Sequence, residues 1–408
     1  MKYIVLFFLL VNNYVSAQTI NLVQARDMMY ENNANLKEMK LKYETQKALI
    51  RTSFNPNRTS FNYSQGNISS QYNDNSFTIN QSIAWPSMYK YQKQYLSQLA
   101  DAEYTNIQNL ELELNIKLRV EWENFQFTQR MLGLLQQLDS LLTIEIATAN
   151  KMQTAGETST QLLLSLQLRY EQLVQQKQEY QNKSKEYLIK IATLLQGSDR
   201  ITPIVEYGKI ESLPVKPSLD TLLYYKQSKV RLQSLNSYSN ILKYQSYPDF
   251  QVAYFNQSIQ GKVEYLGVNY NLTRADRLQG FSVGMSIPLF YRATAAYSKA
   301  NKFSIQADET HLNSLQFEFD KKWDADISHI ATLKSKLESN EQRIKPLADK
   351  LLIVSKKLYT AGQSSFLSYL LAFEQYIDIE TKMLDDIHMY NIAVIKINFN
   401  LVNPDSIK

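Results

Sequence analysis

The chain has 408 residues, no cysteine and a formal net charge of +5, so disulfides, thiolate metal sites and a lipid on an N-terminal cysteine are excluded. Positive and negative side chains are interspersed rather than clustered, which gives no footing for nucleic acid. Tyrosine (28) and phenylalanine (17) are plentiful, whereas glycine is scarce at 10, so each glycine carries positional information.

Residues 1–17 read as a secretory signal peptide: Lys2 supplies the positive start, Tyr3 to Val11 the apolar run, and Val15-Ser16-Ala17 a small-residue cleavage site. No later stretch approaches the roughly 18 uninterrupted apolar residues of a membrane-spanning helix. The expectation is an exported chain without a helical anchor, its net charge reduced to +4 by the loss of Lys2.

The first structural repeat is expected over 18–197. A helical pattern from Ile20 to Arg51, broken around Asn32 to Asn35, is closed by Pro56. The period then changes from helical to alternating. Phe61 and Tyr63, then Phe77, Ile79, Ile83 and Trp85 after a turn at Asn73-Asp74-Asn75, alternate with Ser, Asn and Gln, which predicts a strand pair at about 58–86. Each strand is about ten residues long, the length that a tilted strand needs to cross a bilayer. From Tyr89 to Lys151 there is no proline and one glycine, so a helix of roughly 95 Å is predicted at about 1.5 Å per residue.

That helix ends in Thr154-Ala155-Gly156, within a tip at 152–158, and a second helix returns. Glycine can take the left-handed conformation that closes a helix, and the Ser or Thr that follows can cap the next one. After a linker at 198–217, marked by Pro203, Gly208, Pro214 and Pro217, the order restarts over 218–402. A helix to Tyr244, a strand pair at about 249–290 with a long loop from Gln260 to Gly280, and a long helix interrupted near Pro346 lead to Thr360-Ala361-Gly362. This second tip, at 359–365, lies about 206 residues after the first. In the second pair Phe281, Val283, Met285, Ile287 and Leu289 alternate without a fault. The helices after the two tips share a heptad phase, in which Lys177, Ser184, Glu380, Asn391 and Asn398 interrupt an apolar seam. An internal duplication accounts for the chain up to a tail at 403–408.

Little here suggests catalysis. His311, His329 and His388 are scattered, and no phosphate loop, nucleophile elbow or paired zinc motif occurs, so neither an enzyme nor a cofactor is expected. Four strands with one apolar and one polar face cannot close a barrel alone, and a bilayer does not tolerate open strand edges. Closure would have to come from other copies. The competing expectation is an exported coiled-coil surface or stalk protein whose strands form a soluble cap.

The signal peptide, the duplicated order, the strand Phe281-Ser-Val-Gly-Met-Ser-Ile-Pro-Leu-Phe290 and Tyr359-Thr-Ala-Gly362 resemble the TolC-like outer-membrane efflux proteins. The resemblance implies a mainly α fold with a small β part. Long coiled-coil hairpins would form a periplasmic tunnel, and four strands per chain would contribute to a trimeric transmembrane β-barrel in the outer membrane of a Gram-negative bacterium. It also implies a passive exit duct for a tripartite efflux pump or type I secretion. Its partners would be outer-membrane lipid, a periplasmic adaptor and an inner-membrane pump of the resistance-nodulation-division type. Thr154, Ala155, Gly156, Thr360, Ala361 and Gly362 would meet the adaptor. Phe77, Ile79, Ile83, Trp85 and the Phe281 to Leu289 series would face lipid. Some relatives narrow the tunnel mouth with an aspartate six residues after the second turn glycine. Ser368 stands there in this chain and Leu162 at the first-repeat counterpart, leaving Glu157, Glu374 and Asp378 as the carboxylates near the mouth.

Overall fold

A computed structural model describes residues 18–68, 71–156, 159–196, 201–206, 208–211 and 215–399. The leader, Glu157 and Thr158, parts of the linker and the tail lie outside the described residues. The order begins with strand β1 (Gln18–Ile20) and helix α1 (Leu22–Asn32). Asn21 opens α1 through a capping box in which its Oδ1 accepts from Gln24 N at 2.8 Å and Gln24 Oε1 accepts from Asn21 N at 3.0 Å. The break sensed at Asn32 to Asn35 is Asn33, whose Oδ1 accepts from Leu36 N (3.2 Å) and starts α2 (Ala34–Leu49).

Strands β2 (Ser60–Gly66) and β3 (Asp74–Ile83), helix α3 (Pro86–Thr154) and helix α4 (Thr160–Leu195) follow. Gln196 takes a left-handed position at the end of α4 (φ 48°), and its side chain accepts from Ala34 N at 2.7 Å. Strand β4 (Ile201–Pro203) pairs in parallel with β1. The second round is α5 (Leu223–Gln245), β5 (Asp249–Ser258), β6 (Gly261–Tyr265), β7 (Val268–Leu272), β8 (Arg277–Ser286), α6 (Arg292–Ser339), α7 (Lys345–Thr360) and α8 (Phe366–Phe399).

Three details differ from the expectation. The loop Gln260 to Gly280 contains the hairpin β6–β7, whose turn places Leu266 (φ 51°) and Gly267 (φ 79°) in the left-handed region, as a two-residue hairpin turn requires. Leucine at the first of these positions hid the turn. The strands also stop early: β3 ends at Ile83 and β8 at Ser286, so Trp85, Ile287 and Leu289 lie past the ladder. Pro288, which lacks an N–H, follows directly. Finally, the interruption near Pro346 is not a kink at the proline itself but the π-helical turn Asn340–Ile344 that runs directly into α7 before it.

The chain divides into two units. One comprises residues up to 37, 109–222 and 318 onward. Its core is Phe127, Met131, Leu135, Leu138 and Leu142 of α3 with Leu163, Leu166 and Leu173 of α4 and Phe366, Tyr369, Phe373 and Ile377 of α8. Four of the polar residues that interrupt the heptads meet a partner; the Asn398 side chain lies outside the described residues. Lys177 reaches Asp139 at 2.8 Å, Ser184 accepts from Gln129, and Glu380 pairs with Lys345 at 2.7 Å. Asn391, fully buried, donates to Glu123 Oε1 and to Gly208 O (2.8 Å each) and accepts from Ile210 N at 3.0 Å. It thereby ties α8 to α3 and to the linker. Asp386, also buried, accepts from Lys336 and from Asn340 of the π-helical turn. The other unit, 38–108 and 223–317, holds the sheet and the helices that enter and leave it. Tyr91 stacks on Tyr244 (5.3 Å) there, and Asn301 donates to Leu235 O at 3.0 Å.

Near the tips, Glu145 of α3 is hydrogen-bonded to Tyr369 of α8. Burial raises the Glu145 carboxyl above the usual carboxylate range, opposed by the Tyr369 hydrogen bond and the Lys356 charge, and Tyr369 is pushed up to about 12. A raised folded-state value adds stability that is complete below the unfolded value and is lost as pH rises through the folded one. Relative to E145Q, which cannot titrate there, the wild type should therefore lose thermal stability as pH rises from the ordinary carboxylate range through the raised Glu145 value. Parallel melting curves across that range would contradict this. Replacing Asn391 by Leu removes its hydrogen bonds to the buried Glu123 carboxylate, to Gly208 O and to Ile210 N, and should cost about 2 kcal/mol, read as a lower denaturant midpoint at unchanged slope.

Candidate functional site

The four-stranded sheet, in the order β2-β3-β5-β8, is antiparallel throughout. Its register sorts the side chains onto two faces. One row across the sheet is Phe61, Ile79, Tyr254 and Phe281, another is Gln81, Val252 and Val283, and a third is Ile83, Phe250 and Met285. The opposite face carries Ser60, Asn62 and Ser64, then Ser76, Thr78, Asn80 and Ser82, then Gln251, Ala253, Phe255 and Gln257, then Leu278, Gly280, Ser282, Gly284 and Ser286. The Phe255 ring lies over Gly280, only 2.9 Å from where a Cβ would be, so a side chain at 280 would displace it.

Neither face is covered within the chain. Phe281 and Val283 are 79% and 78% exposed, and Phe61, Tyr63 and Met285 are likewise open to solvent. β2 and β8 each have one neighbour, which leaves two rows of unpaired backbone donors and acceptors. The apolar face also has defined ends. At one end Trp85 stacks on Phe250 (5.3 Å) and meets Tyr247 edge-on (5.4 Å), an amphipathic aromatic cluster. At the other, Arg277 binds Asn256 and, at 3.0 Å, Asn75 Oδ1. A ten-residue strand such as β5 extends about 33 Å, or about 25 Å along the normal at the usual barrel tilt, the height of an outer-membrane apolar band. The lipid-facing residues named from sequence therefore divide. Phe77, Ile79, Ile83, Phe281, Val283 and Met285 share one face of the ladder, whereas Trp85, Ile287 and Leu289 flank it.

The two tips are built alike. Ala155 N donates to Lys151 O (3.1 Å) and Gly156 N to Gln153 O (3.0 Å); Ala361 N donates to Lys357 O and Gly362 N to Tyr359 O, both at 3.0 Å. Gly156 and Gly362 have φ of 75° and 68°, with nothing within 4 Å of an added Cβ, so backbone conformation alone requires glycine there. Ser159 Oγ and Ser365 Oγ then cap α4 and α8 by accepting from Leu162 N and Ser368 N. Thr154, Ala155, Gly156, Thr360, Ala361 and Gly362 are all exposed. Ser368 and Asp378 are exposed and Glu374 is half-buried, while Glu157 lies outside the described residues. Behind the second tip, Tyr359 stacks on Tyr369 (5.6 Å, 5° between planes) and its hydroxyl lies 3.6 Å from Met152 Sδ of the first. This clamp was missed in the sequence, although Tyr359 sits inside the repeated motif.

His329 and His388, apart in sequence, line one pocket of about 530 Å³ with Asp326 and Asn124. Among the described residues no group of three or more His, Asp or Glu is placed to hold a metal ion, and no helix is long and apolar enough to cross a membrane.

No protein-family model matches the chain, and no curated protein matches it by sequence. Solved structures do match over nearly the whole length. A membrane protein from Pseudomonas aeruginosa aligns with TM-score 0.73 at 16% identity, covering 94% of this chain and 90% of that one. CusC, whose structures describe folding and transmembrane channel formation, aligns with TM-score 0.76 at 15% identity, over 94% and 92%. The open state of the Neisseria gonorrhoeae MtrE outer-membrane channel aligns with TM-score 0.72 at 15% identity, over 93% and 88%. With the helix order, the paired tips and the open four-stranded sheet, these likenesses give the chain the fold of the TolC-like outer-membrane channels.

Proposed function

We propose that the chain is the subunit of a passive efflux duct in the outer membrane of a Gram-negative bacterium. Three copies join β2 of one to β8 of the next, closing a barrel that neither edge strand can close alone. The observation that carries this reading is the sheet itself. An uncovered apolar face about as tall as a bilayer's core, with a polar face behind it and two unpaired edges, is stable only in lipid and only when closed. The helices support it as well. Leu347, Leu351, Val354 and Leu358 of α7 step by four and three along one side and are exposed in the single chain, a seam that a second copy would cover.

The tips would dock a periplasmic adaptor coupled to an inner-membrane pump of the resistance-nodulation-division type, or serve type I secretion. The duct itself would carry small molecules or ions without an energy source of its own. Glu157, Glu374 and Asp378 would set the sign of the field at the mouth, where Ser368 stands in place of an acidic gate.

Purified mature protein should behave as a trimer in detergent and give discrete conductance steps in a planar lipid bilayer. A water-soluble particle without membrane activity would contradict the duct and favour an exported stalk with a capped sheet.

A further inference from the structure

The polar face of the sheet has a property that polarity alone does not require. Between its two ends it bears hydroxyl and amide side chains, the apolar Ala253, Phe255 and Leu278, and no ionisable group among the described residues. The charges near the sheet sit at its margins. Asp74 is fully buried, with Ser258 Oγ 3.5 Å from its carboxylate, and Arg277 alternates onto the apolar face, where it is tied to Asn75 and Asn256.

Two further charges adjoin the ladder at the end joined to the helices. Asp249 opens β5 opposite Ser286, on the polar face and half-buried, and among the described residues no side-chain hydrogen bond or ion pair holds its carboxylate. Arg58 precedes β2. Its neighbours run beside β3, where Gln81 donates to Asn57 O (2.7 Å) and Thr59 Oγ1 meets Gln81 Oε1 (2.5 Å); assigning Arg58, one residue before Thr59 and outside the ladder, to the polar side is part of the proposal. Arg58 is exposed. With β3 between Arg58 and Asp249, two strand spacings across and about two residues along put their backbones about 12 Å apart, near one Debye length at 0.1 M salt.

We propose that the barrel wall is blind to the charge of what passes it, and that Asp249 and Arg58, opposing each other at its helix-side rim, set whatever charge preference this segment has. The inference rests on the trimeric duct. Three copies place three acids and three bases alternately around one neutral bore, so each sign screens the other. Removing either one unmasks its opposite, because a ring of like charges biases the local counter-ion concentration.

The test is the reversal potential of single channels in a potassium chloride gradient. D249N should shift the ratio of potassium to chloride permeability at least twofold toward chloride, and R58Q at least twofold toward potassium. The D249N/R58Q double variant should return to the wild-type ratio. All shifts should shrink in 1 M salt, where the Debye length is about 3 Å, an effect that a folding defect would not mimic. S282K, a charge placed on the neutral wall, should also favour chloride. Channels whose ratio is unmoved in both rim variants, or moved in the same direction by both, would overturn the rim assignment. An unmoved ratio in S282K would overturn the wall assignment. Wild-type protein giving no steps at all would remove the duct itself, a failure distinct from these.

Discussion

Backbone amides and carbonyls at the edge of a sheet must find partners, and an apolar face must leave water. In this chain the four-stranded sheet meets neither demand alone: β2 and β8 are edges, and the row of Phe61, Ile79, Tyr254 and Phe281 is open. Most other features follow from that constraint. β3, β5 and β8, at ten residues each, have the length of a bilayer's apolar band, whereas β2 has seven rather than the ten expected from sequence; Trp85 and Tyr247 mark one margin of the sheet, and the opposite face is mostly hydroxyl and amide groups that suit water.

The helical unit solves a different problem. Long amphipathic helices with a pure leucine seam can slide in register or pair wrongly, and single buried polar residues fix the register at some cost in stability. Lys177, Ser184, Glu380 and Asn391 occupy such positions, each with a partner on another element. Asp386 does the same for the π-helical turn through Lys336 and Asn340. The polar interruptions that weaken the heptads as a coiled-coil signal are the contacts that align the hairpins.

Periodic features were readable from the residues alone. Alternating aromatics marked the four strands, Pro56 and Pro248 the ends of the helices before them, and the matched Thr-Ala-Gly sequences the two glycine turns. What was not readable lacks a local period. The parallel pairing of β1 with β4, the Gln196 cap on Ala34 and the union of Tyr359 with Met152 join residues far apart in sequence. Trp85, Ile287 and Leu289 lie beyond the strands because alternation of residue types continues past the last ladder hydrogen bond. In the β6–β7 hairpin, Val263 and Tyr265 pair with Tyr270 and Val268, an alternation that was present but masked by leucine in a position that usually takes Asn or Gly.

Cysteine labelling on the naturally cysteine-free chain tests most directly whether the sheet is a barrel wall. Ser282→Cys and Val283→Cys are adjacent in β8 and point to opposite faces. In reconstituted vesicles the account predicts that Cys at 282 reacts with a charged, water-soluble thiol reagent. Cys at 283 should stay unmodified until detergent dissolves the bilayer. Equal reaction at both positions with the membrane intact would contradict it.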